Sequence, residues 1–595
     1  KWIRKALSKP EINSRKKRVT DSMLRMVLGD ERRFYALAII YGLGISLLSL
    51  ATPISVQMLI NTVANTGLMS PLIMLSVTLF FLLLISGLLN ALRIHLMEIF
   101  GRRFYARMVS EITLRAIYAQ NPFFADNGRT SLFNRYFDIV IVQKTMPYLL
   151  IGGFTLILQA AVGFVLVSLY HPMFLAFNLI TLTLIWLVWQ IWGLKAINAG
   201  IDLSHEKHAA AAWLQGLAAS NGFYKSADHV ANALQAADRM TAAYVDQHRQ
   251  HFRQHFSQTI SYLVIYALAS ATLLGLGGWL VIQAQLSLGQ LVAAELVLSA
   301  VFFGVSQLSA YLIYFYDLCA STEELSLVLA IGQEDPTPGE AVPCTNADLV
   351  FRSVGGDARG EAASLNFEVP CGSRIMACAE NHGVQRLITN LLKRHEKPSG
   401  GYISLGGGDI LDMDVYALRQ EVMIIDRPTI LEGTIRDYLR LNADEFNAEK
   451  ALTALKVVGL ERTVARLEKG LDTPIATTGW PLSTPETMQL KLAAALLASP
   501  HILILNQLYD QVPEACFAGV LGWLREKTDI SLIYFTNREN DLGFDQFLYA
   551  ENNAQTMTSD FGVFHSMLRA RSAHQPSLTD QTNQQRTLPL LTSAS

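Results

Sequence analysis

Six apolar segments, each long enough to cross a bilayer as a helix, follow one another in the first half of this 595-residue chain. They run from Phe34 to Ile60, Pro71 to Leu96, Met146 to Tyr170, Pro172 to Leu194, Phe256 to Ile282 and Leu286 to Phe315. A helix needs about 20 apolar residues to span the hydrocarbon core. One such segment could be the core helix of a soluble protein, but six in succession require a membrane domain. The composition agrees, with 51% hydrophobic and 16% charged residues. A net charge of -2 lacks the basic surplus of a nucleic-acid binder. The five cysteines form no CxxC or Cys/His cluster, so neither a metal site nor a disulfide framework is expected.

Loop charges orient the spans. The stretch from Asn61 to Ser70 has no Lys or Arg, whereas residues 1–33 carry eleven. The long loops after the second and fourth spans are also basic, with Arg102, Arg103 and Arg107 in one and Lys195, Lys207 and Arg239 in the other. The positive-inside rule places these three regions in the cytoplasm. Both ends of the chain are then expected to be cytoplasmic. The N-terminal stretch is basic and polar and reads as no cleavable signal peptide. Leu203 to His255 lacks proline and is rich in Ala, Leu, Lys and Gln, which predicts helices continuing from the fourth and fifth spans. His248, His251 and His255 fall on one face there and are read as a solvated face rather than a metal site.

The expected organisation is a basic segment 1–33, a transmembrane domain 34–325, a linker 326–348, an α/β domain 349–570 and a mobile tail 571–595. Pro336, Pro338 and Pro343 mark the linker. Beyond it, Ile375–Cys378, Val422–Ile425, Ile502–Leu505 and Ser531–Phe535 read as strands between helical stretches, the pattern of a parallel sheet. Gly406-Gly407-Gly408 reads as a plain turn.

Particular motifs carry a resemblance. Asn121-Pro122-Phe123-Phe124 precedes Gly128, Leu132, Arg135 and Asp138 in the first long loop. Later come Ser399-Gly400-Gly401-Tyr402-Ile403, Gly433-Thr434-Ile435-Arg436, Gly470-Leu471-Asp472-Thr473 and a gap-free run from Leu482 to Gln507. With the six spans, these resemble an ABC exporter half-transporter of the type I secretion and peptide exporter kind. The resemblance covers residues from about 25 to 565. It implies a membrane all-α six-helix exporter domain followed by a cytoplasmic α/β P-loop-like nucleotide-binding domain. It also implies a coupling role for Phe123 and Phe124, and a dimer with a second copy or with another half-transporter in the lipid bilayer, expected to be that of a bacterial inner membrane.

The residues that touch nucleotide in that family are changed here. A phosphate loop needs glycines so that its backbone N–H groups can wrap phosphates, a Lys for the β/γ-phosphates and a Ser or Thr for Mg²⁺. This loop has Ala379, His382 and Val384 at three glycine positions, Gln385 at the lysine and Arg386 at the Mg²⁺-holding hydroxyl. Glu380 adds a negative charge beside it. Asn506 and Gln507 replace the carboxylates that would hold Mg²⁺ and activate water. Asp426 stands for the glutamine-loop glutamine, Asn537 for the switch histidine, and Ala358 near the adenine-stacking aromatic. The signature reads Leu482-Ser483-Thr484-Pro485-Glu486, without the two glycines and the glutamine. ATP and Mg²⁺ are therefore not expected to bind well, and no catalytic residue is assigned. The first reading is a transport component with a pseudo-ATPase domain acting structurally in a dimer. A second is a non-transporting scaffold or regulator that recruits secretion machinery with a periplasmic adaptor. A third is an exporter driven by ATP through substitute residues. Glu295, in the sixth span, is the intramembrane candidate, as a cavity-lining carboxylate or an interhelical hydrogen bond.

Overall fold

The structure is a computed structural model and describes residues 32–60, 69–120, 129–334, 348–442, 447–526 and 529–574. The chain divides into two compact units, Lys1–Glu334 and Asp335–Ser595.

In the first unit six helical segments are long and apolar enough to span a membrane: Phe34–Met58, Met69–Ile117, Ser131–Ser168, Pro172–Ala219, Ala227–Ile282 and Leu288–Leu329. The fifth has 56 residues. At 1.5 Å per residue that is roughly 84 Å, against a hydrocarbon core of about 30 Å. The helices thus continue well beyond the bilayer, as the proline-free stretch after the fourth span predicted. The first span is broken at Ser49–Leu50 into Arg32–Leu48 and Ala51–Met58. Pro53, which has no N–H to donate, falls in the first turn of the second piece. The sixth helix runs to Leu329, past the boundary expected at 325. The following residues are not a loose linker: Gln120 N–H donates to the Gly332 carbonyl at 2.9 Å and Glu334 N–H to that of Tyr118 at 2.7 Å. Residues 335–347, with the linker prolines, lie outside the described residues, as do residues 61–68 and both Phe123 and Phe124.

Two features of the packing are absent from the sequence pattern. The third and fourth spans each contain a single π-helical stretch, Leu149–Gly153 and Trp189–Gly193. Both meet aromatic residues of the sixth span. A Cβ on Gly152 would lie 2.2 Å from Tyr311 Cε1, and Trp189 stacks on Tyr316 with centroids 6.5 Å apart. Glycine also sets the approach of the third and sixth spans, since a Cβ on Gly304 would lie 2.1 Å from Leu156 Cδ1. Gly304→Val is expected to cost about 1–3 kcal/mol by overpacking, read as a lower unfolding midpoint of the full chain in detergent.

The histidine face is a correction. His248 is exposed, but His251 and His255 turn inward and are half-buried. Gly200 leaves the room: a Cβ there would touch His251 Cε1 at 3.4 Å, and His255 Nε2 lies 3.3 Å from Ser309 Oγ. Among the described residues no cluster of His, Cys, Asp or Glu is arranged to hold a metal.

The second unit has two main sheets. Strands β1 (Leu349–Asp357), β2 (Ala362–Val369), β4 (Gly400–Leu405) and β5 (Gly408–Asp409) form an antiparallel sheet in the order β2-β1-β4-β5. The larger sheet uses β3 (Arg374–Ala379), β6 (Val422–Ile425), β9 (Ile502–Leu505), β10 (Ser531–Phe535), β11 (Gln546–Ala550) and β12 (Gln555–Thr558), ordered β12-β11-β3-β10-β9-β6. A two-residue pair, β7 (Gly433–Thr434) with β8 (Pro474–Ile475), stands apart. The strands from β11 to β6 are parallel, with Ile375 beside Ile533 and Ile533 beside Ile504. Parallel strands covered on both faces read as unbroken apolar runs. Their period of two divides the core. Ile375, Ala377, Ile504 and Ile533 pack with Phe351, Phe367 and the helix His382–Leu392. Met376, Cys378, Leu503 and Tyr534 pack with the helix Thr484–Ala498 and Phe517. The glycine turn is confirmed at Gly406–Gly407, both with positive φ, between β4 and β5. The last helix, Phe561–His574, runs through the expected start of the tail at 571, and residues 575–595 lie outside the described residues.

Candidate functional site

Strand β3 lies between β11 and β10 and delivers the loop that follows it to the carboxyl ends of the parallel strands, where such folds bind ligands. Ala379 ends the strand and is buried. Glu380 is exposed, and its N–H donates to the Ala550 carbonyl at 2.8 Å. Asn381 is extended and caps the helix His382–Leu392, its Oδ1 accepting from Val384 N–H at 3.1 Å. A helix N-terminus leaves four N–H groups for caps or anions. Here a side chain of the loop takes one of them. The turn after β1 covers the same place, for a Cβ on Gly383 would lie 2.9 Å from the backbone carbonyl of buried Ala358. Gln385 is buried, while His382 and Arg386 are exposed.

The end of β9 is similarly engaged. Asn506 Oδ1 accepts from Leu508 N–H at 3.1 Å, and its Nδ2 donates to the Asp426 carbonyl at 2.9 Å. Gln507 Nε2 reaches Asn537 Oδ1 at 3.4 Å. These contacts bring Asp426, Asn506, Gln507 and Asn537 together. Two lysines join them that the motifs did not single out. Lys393 Nζ pairs with Asp426 Oδ2 at 2.8 Å. Lys491 Nζ donates to the carbonyls of Arg427 and Thr429, the latter at 2.9 Å. The segment after β6 is thus tied down by Lys393, Lys491 and Asn506.

Burial holds Lys491 down to about 8, with Lys393 and Arg427 adding to the effect and Asp426 opposing it. Its folded pKa lies below the ordinary value of 10.5. Between these values the unfolded chain binds a proton that the folded chain does not, so stability rises with pH across that window. Urea midpoints of the full chain at about pH 7.5 and 9.5 are expected to show this rise, and Lys491→Met to flatten it.

Asp510 and Arg538 are further centres that no motif marked. Asp510 accepts from Tyr534 Oη at 2.5 Å, Thr536 Oγ1 at 2.6 Å and Asn537 N–H at 3.1 Å. Arg538 Nη2 donates to the Asp510 carbonyl at 2.7 Å and the Val512 carbonyl at 2.5 Å. Asp510 thereby fixes the start of the segment carrying Asn537.

The signature segment closes on itself. Ser483 caps the helix Thr484–Ala498 in a capping box: its N–H and hydroxyl donate to Glu486 Oε2 at 2.9 and 2.7 Å. Thr463 donates to Glu486 Oε1 at 3.2 Å. Burial works against the Glu486 carboxylate, but hydrogen bonds from Ser483 and Thr463 bring its pKa below the usual range. Pro485 sits in the first turn, where its missing N–H leaves no gap in the helix. Glu295, in the other unit, accepts from Ser299 at 2.9 Å through one oxygen and buries the other without a partner.

Comparison with known proteins follows the same outline. Residues 35–212 match the ABC transporter transmembrane region. The chain is 23% identical over 513 residues to the ABC multidrug transporter mdr2 of Aspergillus fumigatus, covering 81% of this chain and 63% of that one. It is 26% identical over 239 residues to the alpha-hemolysin translocation ATP-binding protein HlyB of Escherichia coli, covering 39% of this chain and 34% of that one. The matches thus span between about a third and just under two thirds of these relatives' lengths. A bacterial Atm1-family ABC exporter solved with ATP bound superposes with a TM-score of 0.77 at 17% identity, over 92% of this chain and 99% of that one. The chain has the fold of an ABC exporter: six apolar helices followed by an α/β unit.

Proposed function

We propose that this protein is a membrane transport component whose α/β unit acts as a structural pseudo-ATPase within a dimer. One observation carries the reading: the residues at the nucleotide-contacting positions hydrogen-bond to one another. Asn381 caps the helix where phosphates would dock, Ser483 and Glu486 close on each other, and Asn506 spends both ends of its amide on the backbone. Asn506 and Gln507 supply no carboxylate for Mg²⁺ at the end of β9, the neighbouring Asp426 carboxylate is paired with Lys393, and Arg386 would repel a cation. In the ABC exporters this chain resembles, each ATP lies between the phosphate loop of one subunit and the signature of the other. Both elements are changed here, so an intact partner would restore neither site. The basic loops support a cytoplasmic α/β unit.

Turnover tests this reading. Purified full-length protein in detergent is expected to release no phosphate from Mg-ATP above background. Release that disappears in Gln507→Ala would overturn the proposal, because it would make Gln507 part of a working site.

A further inference from the structure

Arg93 lies in the second span, 24 residues beyond Met69. That is about 36 Å along the helix, close to the far side of a bilayer core about 30 Å thick. The residue is 3% exposed and sits among three spans. Its Nη1 donates to Thr155 of the third span, its Nη2 to Asn90 Oδ1 at 2.9 Å, and Gly42 of the first span faces Nη1. Both hydrogen-bond partners are neutral. Nε is buried and has no partner. Among the described residues no carboxylate pairs with Arg93; the next one along the helix, Glu98, pairs with Arg102 at 3.2 Å. A guanidinium is permanently charged, and a buried charge calls for a counter-charge. Charged side chains inside membrane helices mark ligand or ion sites by default.

We propose that Arg93 anchors a site for a phosphate-type oxyanion between the first three spans. Nε and the adjoining guanidinium edge supply the charged donors. Asn90, whose Oδ1 is taken by Arg93, keeps its amide N–H groups for the same ligand. Planar Arg suits such an oxyanion because its donors form a fixed fork. The phosphate can come from an anionic lipid headgroup, which basic pockets between membrane helices bind, or from a soluble phosphate. The site is independent of what happens to ATP in the α/β unit.

The test is thermal unfolding of the full chain in detergent micelles, titrated in one arm with phosphatidylglycerol and in the other with inorganic phosphate. A saturable rise in midpoint with phosphatidylglycerol that Arg93→Met abolishes supports the site and makes the ligand a lipid. The same result with inorganic phosphate alone supports it and makes the ligand soluble. Should Arg93→Met fail to fold, Arg93→Lys keeps the charge and loses the fork, and about a tenfold weaker titration midpoint is expected. No shift of the wild type in either arm overturns the proposal, as do equal shifts in wild type and variants.

Discussion

Asp138→Ala is expected to destabilise the membrane-spanning unit by about 3–5 kcal/mol. The carboxylate is fully buried on the third span. It accepts from His208 Nε2 at 2.6 Å and Lys207 Nζ at 3.1 Å on the fourth span, and from Ser321 Oγ at 3.3 Å on the sixth. Three helices therefore meet on one anion. Its removal leaves His208, itself buried, and Lys207 without their acceptor, which costs more than the pair contributes when whole. Asp138→Asn, which keeps the shape and one acceptor, should lose less. Midpoints of thermal unfolding in detergent for the two variants and the wild type check the order. A neighbouring pair, Arg135 with the buried Glu324 at 2.6 Å, joins the same helices and is expected to behave alike.

In the α/β unit the largest loss is expected from Asp510→Ala, at about 3 kcal/mol. Asp510 holds the Tyr534 hydroxyl, the Thr536 hydroxyl and the Asn537 N–H at once. Tyr534 is fully buried, and burial together with the Asp510 hydrogen bond drives its hydroxyl pKa well above the ordinary range. Without Asp510 that hydroxyl is left in the core with no acceptor. Tyr534→Phe in the Asp510→Ala background should recover part of the loss, since it removes the orphaned group. Denaturant unfolding of the four proteins forms a double-mutant cycle. Additive losses in that cycle would show that the two side chains do not act together.

Much of the architecture is legible in the chain. The six spans are visible because hydrocarbon imposes a length and a composition that little else satisfies. Strands β3, β6, β9 and β10 are visible because strands covered on both faces must be apolar at every position. The π-helical stretches are not, because the one-residue phase shift they add leaves no mark in segments that are apolar on every face. The glycines at 152 and 304 gain meaning only when Tyr311 and Leu156 are seen opposite them. His251 and His255 mislead because polarity at helical spacing suggests a wet face, whereas Gly200 and Ser309 on other helices make room for them. At the candidate site the motifs singled out Asp426, Asn506, Gln507 and Asn537, and hydrogen bonds link these four. The motifs did not find Lys393 or Lys491, whose partners are backbone carbonyls and a carboxylate distant in sequence. Asp138 belongs to a motif, but the groups that donate to it lie 69 to 183 residues away in sequence.

Charge-assisted hydrogen bonds contribute about 1.5–3 kcal/mol each, so on the proposed reading the changes at the lysine, the metal-holding hydroxyl and the two acidic positions are expected to remove the affinity of a working site. Equilibrium binding of Mg-ATP to the full-length protein in detergent measures this directly. A Kd weaker than about 1 mM is expected, a free energy no better than roughly −4 kcal/mol. Saturable binding in the micromolar range would contradict it.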